Sequence, residues 1–413
     1  MTSIAERLSP LPFCIYGAGI VACSIYTAIK TLYHETPIFF LVSDSVEGDG
    51  TSDQTPSEID GIAVKSLSMW ERELQIGMYG STIPAYYLIA VPEAHHFAIM
   101  DSLRSVETVQ IKDSQLILFT NELENQLMET YYRSLPECVT VLSILTKRQP
   151  QAIREEDCRQ GKHLGFTEAC RELTGQEISP VQIYQAKSHM DRPIHNQSAE
   201  YDGRMEYLHS IQVGAALTDC RIASLHDNQG DNISTKNRNY CELTATYYAW
   251  KHSHAVVKGI CHYRRIFDIS VEQMQNLLQI QQEWDVILPY PSIHYPNISA
   301  QHSRYVKESD WDAMLRALEE VAPEYLAAYE KSVADGEQFF HNFNMLIAKA
   351  SVFDDYCDFL FRVLERTEEL TTPKGWERAD RFAGYLGENL TTIYFLKNRD
   401  KWKIVYAGKI WLT

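Results

Sequence analysis

Phe13-Cys-Ile-Tyr16-Gly17-Ala-Gly19-Ile-Val-Ala22 decides how the amino-terminal part of the chain folds. Four apolar residues run straight into a G-x-G-x-x-A turn, and apolar positions at helical spacing follow through Tyr26, Ile29 and Lys30. A second apolar run over 38–42 then ends at Ser43-Asp44. Strand, glycine turn, helix, strand and acid is the order of a dinucleotide fingerprint. Its glycines let the backbone approach a phosphate, and the helix amino terminus favours negative charge. Gly17, Gly19 and Asp44 are therefore candidate nucleotide-turn residues. The alternative is a Rossmann-like module that binds no nucleotide, because fold does not fix function. A buried strand over 86–91, a helix from 96 to 103 and a helix over 119–137 complete the pattern. A Rossmann-like α/β domain is expected over 1–150, followed by a linker or covering helix over 151–178.

The rest of the composition narrows the class. The chain has 413 residues, 45% hydrophobic and 23% charged, enough for two domains with real cores. Lysine plus arginine is 38 against 55 aspartate plus glutamate, a net charge of −17. That balance argues against a nucleic-acid binder and allows at most peripheral membrane contact. No apolar run approaches the roughly 20 residues of a spanning helix. The start, Met1-Thr-Ser-Ile-Ala-Glu-Arg7, lacks the pattern of a secretory signal, so a cytoplasmic protein is expected. Nine cysteines are scattered without a C-x-x-C pair, which fits free thiols in a reducing compartment. The pairs His95-His96 and His252-Ser-His254 have no partner cluster, and no metal site is expected from them.

From 179 to 413 a second α/β domain is expected. A strand begins at Val181 and ends at Lys187-Ser-His189, and 210–214 is another extended piece. A turn-rich loop over 225–234 leads into a helix over 237–250, with Leu243, Tyr247 and Trp250 on one face. Asn239 with Glu242 reads as a capping box, the structural reading of Glu242. A strand over 255–261 then ends in His262-Tyr263-Arg264-Arg265.

These motifs resemble the bacterial capsular and exopolysaccharide glycosyltransferases long grouped as a domain of unknown function. The hallmark helix Y-x-E-L-T-x-x-Y-x-x-W-K is matched by Tyr240-Cys-Glu242-Leu-Thr244, Tyr247 and Trp250-Lys251. The strand ending H-Y-R-R-x-F is matched by His262 to Phe267. Gly230-Asp231-Asn232-Ile-Ser234, Phe343-Asn344-Met-Leu-Ile347 and Gly384-x-x-x-Glu388 also agree, so the likeness covers about 181–400. Two departures stand out: Lys187-Ser-His189-Met190 replaces a His-Lys pair, and Gly387-Glu388-Asn389-Leu390 lacks an arginine common at that motif. The resemblance implies a GT-A-like fold. It also implies a UDP-linked nucleotide-sugar donor, such as UDP-galactofuranose, and a glycan or lipid-linked acceptor.

Residue chemistry is read beside that likeness. GT-A enzymes usually recruit a divalent metal with D-x-D after a central strand, but here the strand end is His-Tyr-Arg-Arg. The literal Asp310-Trp-Asp312 reads as ordinary first-turn acids of a helix. Arg264 and Arg265 are permanently charged forks that suit a diphosphate, so no cofactor is required, with manganese or magnesium as the alternative. The competing reading pairs these arginines with buried carboxylates such as Glu242. His189, Gly214, Tyr240, Glu242, His262 and Tyr263 join them as donor-site candidates. Asp231 and Asn232 either hold uracil or ribose or close an Asx-turn. His341, Asn342, Asn344 and Arg381 are acceptor-site candidates, against an edge strand with solvated polar positions. The last helix is expected over 376–397, with Phe382, Leu386, Leu390 and Ile393 in the core and Arg381, Gly384 and Glu388 on another face. Glu388 is the candidate catalytic base and Asp380 its reserve. Two other function classes compete: an NAD(P)-dependent sugar-nucleotide oxidoreductase using Gly17 and Gly19, and a non-catalytic glycan-binding protein. Against the first, no Tyr-x-x-x-Lys follows at dehydrogenase distance.

Overall fold

The computed structural model describes residues 11–44, 55–76, 83–147, 180–194 and 207–412, without the side chains of 303 and 304. The chain forms two compact units. One holds 1–134 with 292–304 and 336–339, and the other holds 135–291, 305–335 and 340–413. The expected linker over 151–178 lies outside the described residues.

The first unit begins with β1 (Phe13–Tyr16), α1 (Ile20–Tyr33) and β2 (Phe40–Val42). β3 (Glu58–Ile59), β4 (Ile62–Ser66), α2 (Leu67–Gln75), β5 (Tyr86–Ile89), α3 (His96–Arg104), β6 (Leu116–Leu118) and α4 (Asn121–Ser134) follow. The sheet order is β3-β4-β2-β1-β5-β6, parallel except for the edge strand β3. β1 lies in the middle, covered on both faces, which is why it reads as an unbroken apolar run. This is the Rossmann-like arrangement that the glycine turn predicts. Gly17 has φ +127, and a Cβ there would sit 2.7 Å from the Ala90 carbonyl oxygen. Gly19 faces open space, with nothing within 4 Å of a Cβ. Asp44, the acid of the candidate nucleotide turn, is engaged within the unit. Its carboxylate accepts the Ser68 N–H (3.1 Å) and hydroxyl (2.5 Å) at the start of α2, and the Ser68 hydroxyl holds it below its usual range.

This unit is not continuous in sequence. Residues 292–304 return to it, with the Ile293 N–H donating to Ser24 Oγ (3.2 Å) and Tyr295 Oη 2.7 Å from Thr27 Oγ1 on α1. The expected boundary near 150 therefore shifts, because α5 (Val141–Lys147) follows a residue that pairs in the second unit. There Thr140 bridges to Tyr406, and the Tyr406 N–H donates to the Val139 carbonyl.

The second unit continues with β7 (Val181–Lys187), β8 (Leu208–Gln212), β9 (Leu225–His226) and α6 (Leu243–His252). Then come β10 (Val257–His262), β11 (Arg265–Phe267), α7 (Val271–Gln279), β12 (Val286–Pro289), α8 (Glu308–Val321) and α9 (Pro323–Ala334). β13 (Leu346–Lys349), α10 (Ala350–Leu370), α11 (Phe382–Lys397), β14 (Ile404–Ala407) and β15 (Lys409–Trp411) complete it. The main sheet runs β9-β8-β7-β10-β13-β12-β14, with β13 antiparallel to both neighbours and the other pairs parallel. Numbered in chain order these strands give 3-2-1-4-6-5-7 with the sixth reversed, the GT-A-like topology expected. Among the described residues no helix is long and apolar enough to cross a membrane.

Three local expectations differ, each for a tertiary reason. The helix expected over 237–250 breaks at Cys241 (φ 50) into Asn237–Tyr240 and α6. Asn239 makes no capping box, since its Nδ2 donates to the carbonyls of Gly375 and Arg378 at 2.7 Å each. α11 starts at Phe382 because Arg381 is left-handed (φ 65) and Arg378 is drawn aside into a bidentate pair with Asp310 (2.5 and 2.6 Å). Asp310 is the first-turn acid expected, and it is also a buried ion-pair partner. Phe343 (φ 77) and Asn344 (φ 49) are left-handed, so β13 begins only at Leu346.

The two fingerprint glycines make different demands, and substitution separates them. Gly17→Ala forces a side chain into a positive-φ position against a backbone oxygen and should lower stability by about 1–3 kcal/mol. Gly19→Ser supplies an ordinary N-cap and should leave the melting temperature within about 2 °C. Thermal melts of both variants check this; equal losses would contradict it.

Candidate functional site

β7 and β10 are parallel, so Lys187 and His262 come out at the same edge of the sheet. β13 runs the other way, so its leading residues Phe343 and Asn344 reach that edge too. The amino termini of α6 and α11 close on it, bringing Glu242, Arg381 and Glu388. β10 turns directly into β11, with His262 paired to Arg265 across Tyr263 and Arg264. Ligands of open α/β sheets bind at such carboxyl ends of parallel strands.

Asn344 Nδ2 donates to Glu242 Oε1 (2.7 Å) and to the Gly384 carbonyl (3.0 Å). The Phe343 N–H donates to Glu388 Oε1 (3.0 Å). Glu242 Oε2 lies 3.7 Å from His262 Nε2. Arg265 is sandwiched between the Phe343 and Trp411 rings, 4.4 and 4.1 Å from their centroids. Arg264 lies over Tyr263 at 5.5 Å, and Arg381 Nε donates to Cys241 Sγ at 3.3 Å. Neither Arg264 nor Arg265 makes an ion pair among the described residues, and the Nε of each is buried without a hydrogen-bond partner. The expectation that they pair with Glu242 as a fold-holding bridge is not met at contact distance.

Charge is compressed into little water. Burial, and then the Glu242 carboxylate, push Glu388 up to about 7, while the Phe343 N–H, Arg265 and Arg381 restrain the shift. Burial raises Glu242 as well, opposed by the Asn344 hydrogen bond. His262 is pushed down to about 3 by burial and then by Arg265, Arg264 and Arg381, so it is neutral at physiological pH. Burial and Arg264 push Arg265 down to about 10, still charged at pH 7. Lys187 is lowered by burial; Asp191 is raised by burial, against the pull of Arg264, Lys187 and Arg381.

The structure therefore brings Glu242, His262, Tyr263, Arg264, Arg265, Asn344, Arg381 and Glu388 together, and adds Lys187, Asp191, Phe343 and Trp411. Other candidates lie apart. Asp231 accepts from Tyr247 Oη (3.1 Å), and its carbonyl lies 2.8 Å from His252 Nε2. That is the carboxyl end of α6, about 15 Å along the helix axis from Glu242. Asn232 closes an Asx-turn, accepting from the Ser234 N–H (3.2 Å). The Gly214 N–H donates to Asp227 (2.8 Å), a buried carboxylate that also binds the Ala215 N–H and Ser234 hydroxyl. Tyr240 is buried beside Lys236 and Glu368, which form their own ion pair (2.5 Å). His189 is exposed on the loop after β7.

Two role expectations are corrected outright. His341 does not face a ligand: it is buried, its ring stacked on Tyr406 and edge-on to Phe395, with Asn342 buried next to it. Asp380 is bound by Arg378 (2.7 Å) and Lys307 (3.2 Å). Burial would raise its pKa, but those two hydrogen bonds outweigh it and hold the carboxyl below its usual range, which leaves it a poor base. Of the residues the sequence reading missed, Lys187 had a signal, a cation ending a buried strand. Trp411 and Asp191 had none, because only the β11–β15 pairing and the turn after β7 bring them near. Among the described residues no three His, Cys, Asp or Glu side chains are grouped to hold a metal ion.

The raised Glu388 carboxyl makes a signed prediction. Unfolded, a glutamate titrates near 4.5; folded, Glu388 titrates near 7, so the folded state binds more protons between these values. Its contribution to stability is full below 4.5 and is lost as pH rises through 7. Glu388→Gln removes this loss and still accepts the Phe343 N–H. It should be more stable than wild type at pH 8 by roughly 1–3 kcal/mol, with the advantage shrinking toward pH 4.5. Denaturant melts across that range check the sign; a constant difference would exclude the shift.

No curated protein matches this chain. A solved apo structure of the bifunctional glycosyltransferase WbbM is similar at 24% identity, over 56% of this chain and 45% of that chain, with a TM-score of 0.45. The similar region thus spans less than half the length of that protein. Residues 194–399, which contain the motifs from Asp231 to Glu388, match the family described as "Domain of unknown function (DUF4422)".

Proposed function

We propose that the second unit transfers a sugar from a nucleotide-sugar donor, UDP-linked, to a hydroxyl of a glycan or lipid-linked acceptor in capsule or exopolysaccharide synthesis. UDP-galactofuranose is the donor suggested by the motif resemblance, and the cytoplasm, up to the inner face of the membrane, is the compartment that fits such a donor. One observation carries this reading: Arg264 and Arg265 form an adjacent, half-buried cation pair that makes no ion pair at contact distance among the described residues, although Glu242 and Glu388 act on Arg265 and Asp191 faces Arg264 from farther off. Two adjacent guanidinium groups, each with a buried Nε that lacks a hydrogen-bond partner, suit an anionic ligand. A diphosphate suits them, since guanidinium forks match phosphate oxygens.

In this reading Arg264 and Arg265 neutralise charge developing on the leaving nucleotide, and Arg381 and Lys187 supply further positive potential. No metal is required for that electrostatic task. Glu388 takes the acceptor proton as the bond to the nucleotide breaks, as an inverting transfer needs, and a pKa near 7 suits a base at neutral pH. His262, being neutral, adds no competing charge to the arginine pair.

Calorimetric titration of UDP in EDTA tests the arginines. Wild type should bind, and Arg264→Ala should weaken binding about tenfold or more with little change in melting temperature. Arg265→Lys keeps the charge but loses the fork and should bind at an intermediate level. Binding that appears only with manganese would overturn the metal-free part, and unchanged affinity in both variants would overturn the site.

The base is tested separately. Glu388→Gln should leave UDP affinity near wild type and lower turnover by about 100-fold or more. Near-normal turnover in that variant would remove Glu388 from the mechanism.

A further inference from the structure

His341 and Asn342 are buried, while Arg381, another expected acceptor residue, is exposed beside Glu388, so an acceptor surface is sought there. On α11, Tyr385 and Glu388 are three residues apart and so are neighbours on the helix surface, and Arg381 caps the helix just before them. The Arg381 guanidinium lies 5.8 Å from the centre of the Tyr385 ring. The ring of Tyr305, which ends the short helical turn His302–Tyr305, stacks on Tyr385 with centroids 5.6 Å apart and an interplanar angle of 14°. Tyr305 remains 47% exposed, and Tyr385 is half-buried. An aromatic pair stacked in parallel, with its outer ring open to water, buries little apolar area for its size.

The pair is also held firmly. Lys307, two residues beyond Tyr305, pairs with Asp380 (3.2 Å), and Asp380 is in turn fixed by Arg378. Arg378 makes the buried bidentate bond to Asp310 at the start of α8. A chain of ion pairs thus ties the Tyr305 segment to the residues just before α11. It explains how Asp380 belongs to the site without acting as its base.

We propose that Tyr305 and Tyr385 form the platform on which the ring of an acceptor sugar stacks, placing its hydroxyl toward Glu388. This rests on the glycosyltransferase reading and deepens it. A sugar ring has one face of C–H groups that packs on an aromatic π-face, while its hydroxyls stay at the edge for hydrogen bonding. Tyr305 supplies the face. Arg381, beside Tyr385, is a donor within the same patch for the hydroxyl edge. A nucleobase would stack equally well, but the diphosphate cations Arg264 and Arg265 lie on the β10–β11 turn and not on this helix, which favours the acceptor.

The test uses the full chain and a panel of methyl and p-nitrophenyl glycopyranosides and glycofuranosides, followed by saturation-transfer NMR, with UDP affinity measured in parallel. At least one glycoside should bind wild type. Tyr305→Leu, which keeps apolar area but loses the flat face, should weaken that binding about fivefold or more, and Tyr305→Phe should retain it. UDP affinity should be unchanged in both. Equal glycoside affinity in Tyr305→Leu and wild type overturns the platform, as does the absence of any glycoside binding. Loss of UDP affinity in Tyr305→Leu also overturns it and places the nucleobase there instead. Failure of wild type to bind UDP overturns the donor reading alone, because the glycoside measurement stands without nucleotide.

Discussion

Three hydrogen bonds from two consecutive residues hold the site in register. The Phe343 N–H takes Glu388, and the Asn344 side chain takes Glu242 and the Gly384 carbonyl. Both residues sit at positive φ, a conformation that costs about 1 kcal/mol or more for a residue with a side chain. The strain turns two successive polar groups toward two different helices just before β13 enters the sheet. Close packing makes the clip possible: a Cβ at Gly387 would lie 2.7 Å from Leu243 Cδ1 and 3.0 Å from Asn344 Oδ1. The carboxylates are therefore positioned by backbone geometry, with the central strand as the reference.

The same clip sets the electrostatics. Glu242 and Glu388 are held near one another in a poorly hydrated place, where burial and then the Glu242 carboxylate make ionisation of Glu388 harder. Burial, and then Arg265, Arg264 and Arg381, keep His262 neutral, yet Arg264 and Arg265 make no contact ion pair among the described residues. The Phe343 and Trp411 rings hold Arg265 by its faces, which leaves its in-plane donors for something else. Ring sandwiching orients the cation without neutralising it. By contrast, Arg378 is fully engaged by Asp310 and Asp380, so its charge serves the framework. The difference between a structural and a ligand-directed arginine lies in what each one faces.

Much of the fold was legible because it rests on local pattern. β1 matches the apolar run 13–16, α3 starts at His96 as expected, and the glycine turn announces a parallel sheet. The Arg264–Arg265 end of β10 was also legible, whereas the face expected to join Arg381 to Gly384 and Glu388 was not set by helical spacing, because Arg381 is left-handed and precedes the helix. Misreadings fall where a distant group outweighs local preference. Asn239 looked like a cap and instead bonds the backbone near 375–378; the helix expected from 376 waits until 382 because Arg378 bonds Asp310. The Asp44 carboxylate, read only as the acid after the second strand, accepts from Ser68 at the start of α2, a contact that local spacing does not announce.

By itself the sequence determined an α/β fold with a Rossmann-like start, the strands around the glycine turn and those that lead to the site, and the cationic turn that points to an anionic ligand. Those features follow from apolar periodicity, glycine placement and charge, which neighbours in the chain express directly. Tertiary structure alone decided that His341 is core, that Asp380 belongs to an ion-pair chain, and that Trp411 backs Arg265. It also decided that residues 292–304 rejoin the first unit. The physical reason is the same in each case. Burial, counter-charge and ring packing depend on residues tens to hundreds of positions away, and no local spacing encodes which of them arrive.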